Sequence, residues 1–335
     1  MKNARTQTTL PEFGREFSWH NYNESQTREK ALFVRLLRDL CETIEEPAHQ
    51  KGRKPKPLSD IIYAICLRTY LNMSARRIES DLKLAKESNY ISQDIAFNTL
   101  LDHLEKLELK QRLQRLIEIS ALPLKIVELD FAIDATGFST SRYITYFDVK
   151  HRKDSRWKAY RKCHAVCGVK TNIITSVEIT EGYVNDNTQF NQLANSTARN
   201  FTIREFTADK GYLSKPNYNL IRDLGGQAFI PFKINSTTRN KRHGDSGTWI
   251  RMFRLFRDHK KEFMQKYHKR SNIESCFSMI KRKFGNNVRC KKETSQDNEI
   301  LAKILVHNIC VLIQEIFLNN IDIDFDFCAK NYIAR

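Results

Sequence analysis

Two aspartates in the second half of the chain follow apolar, β-branched segments and precede glycine-containing turns. Asp134 comes between IVELDFAI and ATGF, and Asp209 comes between IREFTA and KGY. A carboxylate that leaves the end of a strand at such a turn can project into a cleft, and its hard oxygens suit Mg²⁺. Because Asp and Gly also punctuate ordinary strand ends, neither residue alone indicates a site.

A third carboxylate lies in the segment YHKRSNIESCFSMIKRKFG, whose apolar spacing predicts a helix. Four polar residues stand there at offsets of 0, 3, 7 and 14: Tyr267, Arg270, Glu274 and Lys281. At about 100° per residue they fall within roughly 60° of one another on the helix surface. A second stripe is apolar and can dock on a sheet: Ile273, Phe277 and Ile280. The polar stripe is therefore expected to face a cleft.

Together with DATGF and DKGY, this segment resembles the catalytic helix of the DDE transposases of bacterial and archaeal insertion sequences, which bears Tyr-x2-Arg-x3-Glu-x6-Lys. All four positions match without a gap, and the resemblance covers about residues 130–285. It implies a ribonuclease H-like fold in which Asp134, Asp209 and Glu274 form a catalytic, metal-binding triad. Only 65 residues separate Asp209 from Glu274. This leaves no room for the large β-rich insertion of some members, so their hairpin-forming route is not expected.

Phosphodiester cleavage and strand transfer require a nucleophilic oxygen, an in-line leaving oxygen and charge neutralisation at phosphorus. Two Mg²⁺ ions about 4 Å apart can supply these, with Mn²⁺ as a substitute. Asp134 is expected to bridge both ions, while Asp209 and Glu274 each complete one coordination sphere. Arg270 and Lys281 would hold phosphates near the scissile bond, and Tyr267 would position a phosphate or stack. Without DNA, an ion pair with Glu274 is the alternative for Arg270.

The net charge of +17 favours a polyanionic partner. Residues 1–130 hold 21 Lys/Arg and 19 Asp/Glu, residues 131–335 hold 35 and 20, and the segment 236–292 alone holds 17 and 4. Because this segment overlaps the helix with Glu274, we expect it to bind double-stranded DNA without reading its sequence. A solvated basic face is the alternative. The residues assigned to DNA are Tyr267, Arg270, Lys281, Lys210, Arg282, Lys283, Arg239, Lys241 and Arg242.

The first part of the chain is rich in helix formers and poor in Gly and Pro between residues 24 and 125. Apolar spacing near 3.6 predicts helices in ALFVRLLRDLCETI, DIIYAICLRTYL and FNTLLDHLEKLELKQRLQRLIEI. A short helix after Ser74 and a second one capped by Ser92 resemble a helix-turn-helix that binds DNA. Plain helix packing is the stronger alternative, because helix pairs occur in any bundle. We assign residues 1–125 to a helical domain.

Strand candidates begin after Pro123: IVELDFAID, YITYFDV, KCHAVCGV and NIITSVEIT. The helix DNTQFNQLANSTARNF, the strand IREFTAD, the helix PNYNLIRDL and the strand QAFIPF follow, and STTRNKRHGDSG at 236–247 is expected to be a mobile basic loop. This order predicts the α/β class, with a mixed sheet and flanking helices of ribonuclease H-like type. The catalytic domain is assigned to 126–318, including a C-terminal helix, and 319–335 to a tail.

Other readings of the sequence are less favoured. Cys163, His164 and Cys167 come near a zinc pattern, but their alternation in KCHAVCGV is typical of a buried strand. No CxxC pair is present, so we expect free thiols rather than disulfides. Ile300–Phe317 is interrupted by polar residues, which indicates a buried helix rather than a membrane span. No membrane partner is therefore expected. No apolar segment follows Met1, so we expect a cytoplasmic location, at the nucleoid when DNA is bound.

The leading hypothesis is a transposase that binds terminal inverted repeats, frees a 3′-OH and transfers that end into target DNA. A ribonuclease H-like nuclease without strand transfer is the second hypothesis. A non-catalytic DNA-binding relic of a transposase is the third, and the intact triad argues against it. Two copies of the chain are expected on DNA, because both ends of an element must be held together.

Overall fold

Where the structure describes it, the chain before the first strand forms helices, as the apolar spacing predicts. The structure, a computed structural model, describes residues 18–48, 52, 54–140, 150, 160–236 and 247–334. The helices of this first part are α1 (Trp19–Thr27), α2 (Glu29–Glu42), α3 (Leu58–Tyr70), α4 (Glu79–Glu87), α5 (Phe97–Leu104) and α6 (Leu107–Ala121). The single helix predicted from Phe97 onwards is two helices, because Lys106 is extended and ends the helical run.

The predicted cap of α5 is wrong. Ser92 lies five residues before α5 begins, and its amide and hydroxyl donate to Asp60 Oδ2 at 2.9 and 2.6 Å. At the start of α5, the Phe97 amide instead donates to Glu79 Oε1 of α4 at 2.9 Å. Ser92 therefore anchors the connector to α3, and a carboxylate from the preceding helix satisfies the helix end.

Five strands form one mixed sheet in the order β3-β2-β1-β4-β5. They are β1 (Asp130–Ser139), β2 (Tyr160–Gly168), β3 (Ile174–Glu181), β4 (Glu205–Ala208) and β5 (Gln227–Phe229). β1 is antiparallel to β2 and parallel to β4, while β2–β3 pairs are antiparallel and β4–β5 pairs are parallel. This is the α/β arrangement with three consecutive strands that the sequence predicts. The predicted strand YITYFDV lies outside the described residues.

The first strand differs from its predicted limits. β1 starts at Asp130 rather than Ile126, and it continues past Asp134 to Ser139. Its antiparallel partner β2 supplies hydrogen bonds as far as the pair Ser139–Tyr160, whereas the parallel partner β4 stops opposite Ile133. Asp134 therefore lies within a strand, at the level where only one neighbouring strand continues.

Helices cover both faces of the sheet. They are α7 (Phe190–Asn200), α8 (Lys215–Asp223), α9 (Gly247–Asp258), α10 (Lys260–Tyr267), α11 (Ser271–Phe284), α12 (Glu293–Asn319) and α13 (Phe325–Lys330). α7 packs on β2 and β3, and α11 packs on β1 and β2. The predicted basic loop lies largely outside the described residues. α9 and α10, which follow it, bury Trp249, Met252 and Phe263, a helical pattern that the sequence interpretation missed.

The long helix α12 is the main link between the two parts of the chain. It contacts α1, α3 and α6 on one side and β3 on the other. Its polar residues are paired inside the protein: the Asn308 side chain accepts from Ile174 N and donates to Ile174 O, at 2.9 and 2.8 Å. In the described residues, α12 alone is long and apolar enough to cross a membrane, and 83% of that window is buried. Such burial is typical of a core helix.

Candidate active site

The two aspartates meet because their strands are parallel neighbours. Ile133 of β1 is in register with Ala208, the last residue of β4. In the sequence, an aspartate follows each of these two residues. Asp134 and Asp209 therefore lie at the same end of the β1–β4 strand pair. The Asp209 side chain caps the short 3₁₀ turn Lys210–Tyr212 by accepting a hydrogen bond from Gly211 N. The glycine-containing turn thus fixes one carboxylate beside the other.

Arg270 connects the third carboxylate to the first. One guanidinium nitrogen, Nη1, donates to Asp134 Oδ2 at 2.7 Å, and Nη2 donates to Glu274 Oε1. The side chains of Arg270 and Asp134 are mostly buried, with 19% and 22% exposed, whereas Glu274 is 56% exposed. The structure therefore brings Asp134 and Glu274 together through a shared cation. The ion pair expected for Arg270 in the absence of DNA is present, and it has a second partner.

The electrostatics of Asp134 indicate that both other carboxylates act on it. Burial is the main cause that raises the pKa of Asp134 to about 6, and the negative charges of Asp209 and Glu274 contribute to this rise. A hydrogen bond from the Ala135 amide and the charge of Arg270 oppose this rise. A buried carboxylate beside two others favours protons or other cations. The site has the electrostatic character of a cation-binding cluster.

Tyr267 and Glu274 are not on one continuous helix, contrary to the sequence prediction. Tyr267 is the last residue of α10, a 3₁₀ turn covers His268–Arg270, and α11 starts at Ser271. The Arg270 guanidinium lies 5.9 Å from the centre of the Tyr267 ring. The phenol thus packs near the arginine that holds the carboxylates. Its contact arises from the turn between two helices and not from a helical stripe.

Lys281 lines the wall of the cleft that contains Asp134 and Glu274. Its Nζ donates to Thr136 Oγ1 at 2.6 Å and lies 5.3 Å from the centre of the Phe138 ring. Burial lowers the pKa of this ammonium. The cleft has a volume of about 560 Å³ and is also lined by Lys150, Ser278, Arg282 and Asn286. Lys281 and Arg282 are therefore placed to meet a phosphate backbone that enters the cleft.

The other cations predicted to bind DNA do not all lie near the cleft. Lys210 is exposed in the turn directly after Asp209. Lys283 lies away from the cleft, because nine residues turn a helix by about 900° and bring it to the face opposite Glu274. Its Nζ pairs with Glu29 Oε2 at 2.5 Å. The structure thus does not bring Lys283 to the site. Arg239, Lys241 and Arg242 lie outside the described residues.

The helix-turn-helix candidate offers few cations on its second helix. The exposed side chains of α5 include Asn98, Leu101 and Asp102. Arg76, from the segment before α4, packs over the Phe97 ring at 5.2 Å. A recognition helix normally presents donors and cations to DNA, so this surface favours packing over DNA recognition.

The donor chemistry of the carboxylates fits divalent metal ions, but their present arrangement is not that of a formed metal site. Across the described ranges, no group of three His, Cys, Asp or Glu side chains lies close enough to hold a metal ion. Arg270 contacts one oxygen of Asp134 and one oxygen of Glu274. Asp134, Asp209 and Glu274 would hold the ions after a rearrangement of their side chains.

A basic cluster that the sequence interpretation missed lies at the opposite end of β1. Lys269 donates to Asp130 Oδ2 and Glu205 Oε2, both at 2.8 Å, and Arg204 binds both Asp130 oxygens at 2.8 Å. The position of Lys269 beside Arg270 was the available signal. These ion pairs fasten the turn that carries Arg270 to β1 and β4. Asp130, Arg204 and Lys269 also line a cavity of about 700 Å³. This cavity is larger than the cleft of Asp134 and Glu274 and is separate from it.

The zinc alternative is not supported. Cys163, Ala165 and Cys167 alternate along β2 and are buried, as predicted for a strand. All eight cysteines are described and free. His164 points to the opposite face, where its Nε2 lies 2.8 Å from Thr180 Oγ1.

Comparison with known proteins agrees with this geometry. A family model described as a transposase DDE domain matches residues 127–309, which are 183 of the 335 residues. The match includes the whole sheet, both aspartates, the helix with Glu274 and nearly two thirds of α12. A search of the curated proteins found no match.

Proposed function

The chain belongs to the family of transposases with a DDE domain, and we propose that it cleaves DNA at the terminal inverted repeats of an insertion sequence and joins the freed ends to target DNA. Transposases bind and cut DNA, generally with divalent metal ions. The observation that carries the proposal is the convergence of Asp134 and Asp209 at one edge of parallel strands, with Glu274 tied to Asp134 through Arg270.

Each side chain has a distinct task in this proposal. Asp134, Asp209 and Glu274 would hold two divalent ions, which would supply charge neutralisation at the attacking and leaving oxygens when bound. Asp134 lies on the paired strand β1, and Asp209 is held by its turn, so the backbone at both carboxylates is positioned before DNA arrives. Glu274 is the most exposed of the three carboxylates, and it is one of the two that Arg270 contacts. It is the carboxylate with most freedom to adjust.

Arg270 and Lys281 act on the substrate. The planar guanidinium can exchange its two carboxylate contacts for two oxygens of a phosphate, with the same forked geometry. Lys281 supplies a single charge from the cleft wall, oriented by Thr136. A phosphate that enters would therefore both be bound by Arg270 and release Asp134 and Glu274 to bind metal. We further propose that two copies act together on the DNA ends, in the cytoplasm and at the nucleoid.

The experiment compares single Ala substitutions of Asp134, Asp209 and Glu274. Each should abolish Mg²⁺-dependent cleavage of a terminal-repeat duplex and leave DNA binding within about threefold of the unmodified protein, because phosphate contacts dominate affinity. Asp223→Ala is the matched control, since this exposed carboxylate pairs with its neighbour Arg222 on the surface of α8. Normal cleavage by any one triad variant would contradict the assignment.

Strand transfer needs its own assay. Pre-cleaved ends incubated with plasmid DNA should give joined products. Cleavage without joined products would favour the nuclease hypothesis, and DNA binding without any cleavage would favour the non-catalytic relic. In a sizing experiment, a complex containing one protein copy per pair of DNA ends would contradict the proposed dimer.

A further inference from the structure

A small cavity lies between the helical part of the chain and the segment that follows α11. It has a volume of about 70 Å³ and is lined by α3, by residues 284–289 and by α12. Its charged lining consists of Arg68, Arg289, Lys303 and one carboxylate, Glu299. Among the described residues, it shares no lining side chain with the carboxylate cleft. Two positive charges are therefore in excess around one small space.

Two of these cations are buried without a counter-charge. Arg68 and Lys303 are only 6% and 3% exposed, and within the described part of the chain neither forms an ion pair with a carboxylate. Arg68 Nε donates to the Met73 carbonyl at 3.3 Å. Lys303 Nζ donates to the carbonyls of Gly285 and Asn287 at 3.0 and 2.7 Å. Because buried Lys and Arg are normally paired with an opposite charge, this arrangement calls for an anion.

The Glu299 carboxylate is engaged elsewhere and does not supply that charge. Its oxygens accept hydrogen bonds from the backbone amide of Arg289 at 3.1 and 3.0 Å and from that of Cys290 at 3.0 Å. These contacts fasten the segment after α11 to α12. They leave the ammonium of Lys303 and the guanidinium of Arg68 to be satisfied by other groups.

The third cation lies at the exposed rim of the cavity. Arg289 Nη2 donates to the carbonyl and to the side-chain oxygen of Asn72, just after α3, at 2.9 and 2.7 Å. Burial lowers the pKa of Lys303 to about 8, and the charges of Arg289 and Arg68 also lower it, while Glu299 raises it. Both arginines therefore repel the Lys303 ammonium. A bound anion would relieve this repulsion.

We propose that this cavity binds one phosphate group, held by Arg68, Arg289 and Lys303. A cavity of about 10–15 Å³ already holds one water molecule, so this one has room for a tetrahedral oxyanion but not for a nucleotide. Guanidinium forks and an ammonium are the usual donors to such a group. The phosphate belongs either to a DNA backbone or to a free phosphate ion. The proposal does not depend on metal binding by the carboxylates.

The test is calorimetric titration of the full-length, DNA-free protein with inorganic phosphate at pH 7, with chloride adjusted to keep the ionic strength constant. The unmodified protein should bind one phosphate saturably. Arg68→Met should weaken this binding about tenfold, because a charge-assisted contact is lost. Arg68→Lys, which keeps the charge, should recover part of the affinity. Lys291→Met is the matched control, since it removes an exposed positive charge from the same segment but does not line the cavity.

A second variant covers the buried position of Arg68. Thermal unfolding without phosphate checks that Arg68→Met is folded. Arg289→Met changes only the exposed rim and should weaken phosphate binding about threefold, a smaller effect because solvent screens an exposed charge. It therefore tests the site even if Arg68→Met does not fold.

The salt dependence of DNA binding distinguishes the two sources of the phosphate. If a DNA phosphate enters the cavity, Arg68→Met should lower the slope of log affinity against log salt by about 1, and inorganic phosphate should compete with DNA. If a free phosphate ion is the ligand, the slope should not change, and both should bind together. Absence of saturable phosphate binding by the unmodified protein, unchanged affinity in folded Arg68→Met and in Arg289→Met, or an equal loss in Lys291→Met would each overturn the inference.

Discussion

Replacement of Arg270 by Met tests the electrostatic balance of the site. Arg270 contacts Asp134 at 2.7 Å and is the main nearby positive charge that opposes the burial of this carboxylate. The Asp134 pKa is about 6 with the arginine in place. A contacting cation lowers a carboxyl pKa by about 1 to 3, so its removal should raise the pKa to roughly 7 to 9.

The magnitude follows from the protonation of Asp134. At pH 7 a carboxyl with a pKa of about 6 is roughly 90% ionised, whereas one with a pKa of about 8 is roughly 10% ionised. Because a metal ion competes with the proton, Mn²⁺ affinity at pH 7 should fall about tenfold in Arg270→Met. The sign is fixed: a raised pKa keeps the proton bound to higher pH, so the loss should disappear as pH rises toward 9.

The assay is a series of Mn²⁺ titrations between pH 5.5 and 9.5 on the DNA-free protein. Arg270→Lys is the control, because it keeps a positive charge while it loses the forked contact to two carboxylates. Its pH midpoint should stay closer to that of the unmodified protein. Thermal unfolding of all three proteins in the absence of metal checks that the fold is retained.

Two results would refute the reasoning. A midpoint for Arg270→Met that coincides with that of the unmodified protein would mean that Arg270 does not control the charge of Asp134. Tighter Mn²⁺ binding at every pH would mean that Arg270 acts mainly as a competitor for the carboxylate oxygens.

The other predictions concern DNA affinity and stability. Lys281→Ala should lower the slope of log affinity against log salt by about 1, because one phosphate contact is lost. Lys283→Ala should leave the slope unchanged, because the Lys283 ammonium pairs with Glu29. Equal slopes for the two variants would contradict the placement of Lys281. Burial raises the pKa of Glu128 to about 7 from its usual 4.5. The folded state therefore retains this proton to higher pH, and the free energy of unfolding should fall by about 3 kcal/mol between pH 4.5 and 7 from this group alone. Urea unfolding of Glu128→Gln should lack this part of the pH dependence, and parallel curves for the two proteins would contradict it.

The candidate residues of the site could be named from the sequence because they are recognised by residue type and short spacing. Asp134 and Asp209 each follow an apolar β-branched run, and Glu274 lies on a helix with a clear apolar stripe. Strand and helix periodicities of 2 and 3.6 are local properties, so they also indicated the α/β class and the buried α12. The same helical arithmetic applied to Lys283 would have placed it opposite Glu274.

Other features depended on where elements end and on what packs against them. β1 continues past Asp134 because β2 pairs with it there, and no local pattern contains that partner. The break at His268–Arg270 was hidden because offsets on an ideal helix do not record a 3₁₀ turn.

The sequence thus determined which three carboxylates are candidates for the site, whereas their electrostatic state was decided only by the tertiary structure. The chain itself specifies three carboxylates and an arginine in order. Only the fold buries Asp134 near two further negative charges and places the Arg270 guanidinium across Asp134 and Glu274. The reason is physical: burial and charge coupling depend on distances between residues far apart in the chain, and local periodicity carries no information about them.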